Sequence, residues 1–158
     1  MSAPGTGLIS QGMIDMASTT SFSDDRSAFF DLPAAHWLPR LAVAGVFLYH
    51  GVTKFPGLAE TAAFMGMPVF VWALVAIGEV AAGLGLLFGG AVTTRAGDLA
   101  TRVSGAVIAV IMVGAIWLVH WGQWSNIPSE THPMGGMEFQ TLLLALGLYY
   151  VARGRHAA

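Results

Sequence analysis

Residues 68–90, PVFVWALVAIGEVAAGLGLLFGG, form an apolar stretch of 23 residues whose single charge, Glu79, lies at its middle. A helix needs about 20 mostly apolar residues to cross the hydrocarbon core of a bilayer, so the stretch reads as a membrane span. A carboxylate at that depth costs at least ~2.5 kcal/mol on insertion scales, so Glu79 is expected to face protein or water rather than lipid. The remaining helices must therefore assemble around this one. The composition agrees: 55% of the chain is hydrophobic and 10% is charged, whereas a soluble domain carries about 25% charged residues.

The other segments follow from the same reasoning. Three further apolar stretches are expected to span, at about 37–55, 99–121 and 137–151. The first has Trp37 and Pro39 at its start and ends at Pro56–Gly57, where a helix cannot continue. Phe29 and Phe30 precede it as an interfacial lead-in, since aromatic side chains favour the water–lipid boundary. Residues 58–65 read as a short surface helix carrying Glu60, 91–100 as a polar connection, and 122–136 as the longest loop. In the second span Ala81, Gly85 and Gly89 recur every four residues, and Ser104, Gly105 and Ala109 stand in the third. Small residues at such spacing let helix backbones approach closely in lipid. The expected fold is thus an all-α integral membrane protein, a four-transmembrane-helix bundle over residues 32–155. A polar, Ser/Thr/Gly-rich stretch, 1–31, precedes it and reads as a flexible tail rather than a signal peptide, because it has no basic segment followed by an apolar one.

With four spans, both termini and the middle connection share one side. That side holds Arg26, Arg40, Arg95, Arg102, Arg153 and Arg155, and the other holds Lys54 alone. The positive-inside rule then places both termini in the cytoplasm. Lys54, His120, the long loop and Glu138 fall near the outer surface.

The polar residues within this bundle are the candidates for chemistry. His50 and Lys54 are four residues apart and share a helix face. Glu79 lies about 15 Å below the outer end of its span by the helix rise. Glu79, His50 and Lys54 form one feasible cluster, suited to relaying protons or facing a quinone. Glu138 and His120 form a second feasible pair for ligand binding. Trp117, Trp121 and Trp124 make an aromatic stripe, read either as a membrane anchor or, through Trp121, as a stacking wall for a ring. Each polar group also has a plainer reading: Glu79 paired with a neighbour to hold the bundle, Lys54 reaching for the interface, Glu138 at a helix start favoured by the dipole. His50, Glu79, His120 and Glu138 carry donor atoms suited to zinc, manganese or iron, but they lack any short ligand spacing, so neither a metal nor a haem is expected. The chain has no cysteine, no phosphate-binding loop, no nucleophile–base signature and no basic run for nucleic acid.

Several stretches together resemble the DoxX family of small bacterial four-helix membrane proteins. Arg40 and Gly45 precede Gly51-Val52-Thr53-Lys54-Phe55, similar to the family's Gly-x-x-Lys-aliphatic end of the first span. Met65-Gly66-Met67-Pro68 resembles its Gly-x-Pro entry to the second, and Gly78-Glu79-Val80-Ala81-Ala82-Gly83-Leu84 its glutamate followed by small residues. His120 closes the third span, and Gly135-Gly136-Met137-Glu138 is similar to the Gly-Gly-x-Glu opening of the fourth. The chain departs from the family at Arg153-Gly154-Arg155-His156, where relatives carry a Gly-rich Ser-Leu-Asp tail, and in its added N-terminal segment and its Trp-bearing third loop. The resemblance implies Lys54, Glu79, His120 and Glu138 as the matching polar positions. It also implies a bacterial inner-membrane subunit or accessory of a redox-linked complex, since the family is similar to the large DoxD subunit of thiosulfate:quinone oxidoreductase and some members are implicated in oxidative-stress complexes. Quinone is the one cofactor this brings forward. The lipid bilayer and a membrane protein complex, or further copies of the chain, are the expected partners. Two other roles are compatible with the same residues: a docking subunit held by its small-residue faces, and a small oligomeric ion or solute carrier.

Overall fold

The computed structural model describes residues 35–156. The expected tail, 1–31, and the lead-in aromatics Phe29 and Phe30 lie outside them. Among the described residues every regular element is helical. Helix α1 runs Trp37–Lys54, α2 Leu58–Phe64, α3 Val69–Ala91 and α4 Arg95–Ala115. The last continues as a π-helical turn, Ile116–His120. Helix α5 runs Glu138–Arg153, and a 3-10 turn, Gly154–His156, follows it.

Two stretches, Val69–Ala91 and Arg95–His120, are long and apolar enough to cross a membrane. Both turn large apolar side chains outward: Leu74, Ile77 and Leu84 from α3, and Val103 and Val110 from α4, are exposed. A soluble protein seldom leaves such continuous apolar faces to water. Helix α4 begins at Arg95, inside the stretch that reads as a connection. Asp98 sits in its first turn, where the dipole favours a carboxylate, and pairs with Arg102 one turn on at 2.8 Å.

The helices pack in the order α1, α3, α4, α5, with α2 lying against α3. The core is built from Val43 and Phe47 of α1, Ala82 and Leu86 of α3, Ile108 and Met112 of α4, and Leu143 and Tyr150 of α5. The small residues of α3 are spent inside the chain. A side chain at Gly85 would run into Ser104, and one at Gly89 into Thr101, both on α4. These two glycines therefore seat α3 on α4 and are not open to dock on another protein. Gly105 and Gly147 make the matching close approach between α4 and α5: a Cβ at Gly105 would lie 2.6 Å from the Gly147 carbonyl oxygen, and one at Gly147 3.0 Å from that of Gly105.

At one end of the bundle Arg40 is fully buried. One of its terminal nitrogens donates to the Leu86 carbonyl at 3.4 Å and to Thr101 Oγ1 at 3.2 Å. The other donates to the carbonyls of Gly154 and Arg155 at 3.5 and 3.3 Å. The guanidinium also lies 5.3 Å from the centre of the Tyr150 ring. Arg40 thus joins α1, α3, α4 and the terminal turn. Its sequence position offered only a positive charge to count toward topology.

Candidate functional site

At the opposite end the four long helices spread around a cavity of about 520 Å³. Its walls are almost wholly apolar, contributed among others by Phe47, Val75, Met112 and Leu143. The polar groups that reach it are few, and the fold places them in two sets.

The first set joins α1 to α3. The last turn of α1 brings Lys54 over the middle of α3, where Lys54 Nζ donates to Glu79 Oε2 at 2.6 Å. Both side chains are largely buried, 14% and 7% exposed. Gly51 makes the approach possible, since a Cβ there would lie 2.9 Å from the Ala76 carbonyl oxygen and 2.7 Å from Val80. The ammonium also donates to the His50 carbonyl at 3.2 Å and stands 5.2 Å from the centre of the Trp72 ring. Trp72 is held in turn by its indole N–H, which donates to Thr61 Oγ1 of α2 at 3.0 Å. Helix α2 therefore acts as a brace for the ring that faces the cation. The charges compensate each other, as low-dielectric burial requires. The His50 imidazole lines the same cavity, but its ring bonds to neither partner and meets Tyr49 edge-on at 5.6 Å.

The second set joins α4 to α5. The π-turn at Ile116–His120 ends α4 with a wider coil, a local form that is frequent at functional sites. It leaves His120 buried beneath the long loop. His120 Nδ1 lies 2.8 Å from the Gly135 carbonyl oxygen. A carbonyl can only accept, so Nδ1 carries the proton and the neutral ring's Nε2 is an acceptor. Its partner at 3.0 Å is the Gln140 side-chain amide nitrogen, which donates to it. The Gln140 oxygen is thereby turned elsewhere, buried and without a hydrogen bond among the described residues.

The loop between them is fastened to the start of α5. The N–H groups of Gly136, Met137 and Glu138 donate to the carbonyls of Ser125, Gln123 and Trp124 at 2.8, 2.9 and 3.0 Å. Gly135 has φ +77°, a left-handed conformation that costs a side-chain-bearing residue more, and this bend aims its carbonyl at His120. Gly136 passes against the Gln123 and Ser125 carbonyls with no room for a Cβ. The Gly135-Gly136-Met137-Glu138 motif is thus a backbone device that seats the loop on α5 and orients a histidine.

The candidate residues sort as follows. Lys54 and Glu79 meet, and His50 and His120 line the same cavity. Glu138 does not pair with His120: its Oε2 accepts from the Asn126 N–H at 3.2 Å, outside the cavity. Trp121 is exposed and tilted against Trp117, ring centres 5.3 Å apart, and neither indole lines the cavity. No group of three or more His, Asp or Glu side chains is placed to hold a metal ion among the described residues. Two residues of the site carried no distinct signal in the sequence, Trp72 and Gln140. Trp72 stands seven residues before Glu79, a spacing that returns to the same helix face.

The family whose model matches is DoxX, over residues 36–121. A relative in Bacillus subtilis (strain 168), named "Putative oxidoreductase CatD", is 29% identical over 120 residues, which span 74% of this chain and 77% of the relative. No solved structure matches.

Proposed function

Because this chain belongs to the DoxX family, whose members are membrane proteins, we propose that it is an inner-membrane accessory subunit of a redox-linked assembly whose cavity admits the ring of a quinone-type molecule. In this reading all four long helices span the membrane, both termini lie in the cytoplasm, and the cavity opens toward the outer half. The six-to-one division of basic residues supports that orientation. The outward-facing apolar side chains of α3 and α4 support the spanning itself.

One observation carries the function: an apolar cavity of about 520 Å³, large enough for a small ring, with a buried Lys54–Glu79 pair in its wall. Ligand sites are typically apolar clefts with a few convergent polar groups, and ionisable residues within a membrane are functional candidates by default. Glu79 would exchange protons with the bound ring, Lys54 would hold the carboxylate in place, and His50 on the same wall would pass the proton outward. The relative's name, an oxidoreductase, fits this class of chemistry.

A second reading has support of its own. The Lys54–Glu79 pair is closed within the chain and would serve equally as an internal latch in a purely structural subunit. Glu79→Gln separates the two. Under the redox reading the variant inserts and assembles but the complex loses its quinone-dependent activity. Unchanged specific activity in a variant of lowered stability would refute that reading and leave the latch.

A further inference from the structure

Resting on that reading, the hydrogen-bonding geometry of the cavity sorts the ligand's two redox forms. We infer that the site recognises the hydroxyl-bearing, reduced form of the ring, a quinol or phenol whose O–H donates to Glu79 Oε1, in preference to the carbonyl-only oxidised form.

The argument is a count of open valences around the cavity. An ammonium has three N–H donors. Those of Lys54 are taken up by Glu79 Oε2, the His50 carbonyl and the face of Trp72. The strongest donor in the wall is therefore already used, and a ligand carbonyl finds no cation free to bind it. The pair leaves an acceptor open: among the described residues only Oε2 of Glu79 is bonded, and Oε1 has no hydrogen bond. The second set of polar groups is closed on itself: Gly135 fixes the His120 tautomer, His120 fixes the Gln140 amide, and Gln140 Oε1 is buried without a partner among the described residues, out of a ligand's reach. His50 and Asn126 also line the cavity, and since an imidazole and an amide each offer both a donor and an acceptor they favour neither form. The Glu79–Lys54 pair thus presents one surplus acceptor with its charges cancelled, so the fitting ligand is a neutral ring that brings its own donor. A hydrogen bond to a charged acceptor in such surroundings is among the stronger ones.

The test uses full-length protein in mild detergent micelles under anaerobic conditions, titrated calorimetrically with decylhydroquinone and with decylbenzoquinone. The hydroquinone is expected to bind roughly tenfold or more tightly than the quinone, the factor that one charge-assisted hydrogen bond supplies. 4-Decylphenol against its methyl ether should show the same order without any redox change. In Glu79→Gln, which offers an N–H as well as an oxygen, the preference should fall to within about twofold. Gly114→Phe serves as the control: Gly114 lines the cavity with open space beside it, so the new ring fills the volume and should abolish binding of both probes. Equal binding, a preference for the quinone, or a preference that survives Glu79→Gln would overturn the inference while leaving a ring-binding site in place. No saturable binding of any probe to the wild-type protein would remove the ring-binding reading with it. Should Glu79→Gln fail to purify, the phenol and ether comparison on the wild-type protein decides the matter alone.

Discussion

Replacing Lys54 with Met should leave a buried carboxylate stranded, and the geometry sets the scale of the effect. The two charges are 2.6 Å apart and 14% and 7% exposed. At an effective dielectric of ~20 their gross attraction is about 6 kcal/mol. Most of that offsets the desolvation both groups suffered on burial, so the net worth of the pair is far smaller. Removing one partner is different, because the other keeps its desolvation cost with no compensation, and such single removals cost about 3–5 kcal/mol. Lys54→Met also loses the contact with Trp72 and the bond to the His50 carbonyl. We therefore expect a loss of at least ~3 kcal/mol in Lys54→Met, read as the shift in the equilibrium unfolding curve of the protein in mixed micelles. The double variant Lys54→Met/Glu79→Gln should recover more than half of it, since a neutral amide no longer demands a counter-charge. A single variant within ~0.5 kcal/mol of wild type, a shift typical of an exposed surface substitution, would refute the reasoning. So would a double variant whose loss is the sum of the two singles, for residues in contact should couple.

Three further outcomes follow from the packing. Arg40→Met should lower stability by about 2–4 kcal/mol in the same unfolding experiment, since it strips the donor from the carbonyls of Leu86, Gly154 and Arg155; a smaller loss than in Lys54→Met is expected if the terminal turn can reach water. Gly89→Leu should prevent folding of the bundle itself, seen as aggregation on size-exclusion chromatography, because α4 occupies the space beside Gly89; a monodisperse variant that only loses a partner would contradict the internal seat described above. Gln140→Leu should cost about 1 kcal/mol in the same unfolding experiment by removing the donor to His120 Nε2; a variant as stable as wild type would argue against that hydrogen bond.

Much of this architecture was legible in the residues. The uninterrupted apolar run at 68–90 announced a helix, and its one charge announced that something must meet it. The four-residue spacing of His50 and Lys54 put them on one face. Other features were silent for a physical reason. A helix that is apolar all round has no periodicity to say which face is inward, so Trp72 was one more apolar letter beside Phe70 and Leu74. Glu138 read as a partner for His120, yet its carboxylate is turned to the Asn126 N–H, while the His120 contacts come from a backbone carbonyl and from Gln140. Backbone groups carry no letter in a sequence, and a loop closed by them leaves only its glycines as a trace. Arg40 is the same case: its partners are mostly carbonyls, so only its charge was visible. The small residues of α3 were readable as a close contact, but not as one made within the chain.

The burial of Arg40 also imposes an order in time. Its deepest partners are Leu86 and Thr101, and the acceptors that complete its shell are the carbonyls of Gly154 and Arg155, 114 and 115 residues downstream. A chain delivered from its N-terminus brings the guanidinium to the membrane long before those acceptors exist. Until then the guanidinium must stay where water can solvate it. Only when the last helix has been completed and its final turn formed can the arginine be drawn in. The bundle is then locked by the turn that follows α5, and removing Gly154 and Arg155 would leave the first helix without two of its ties.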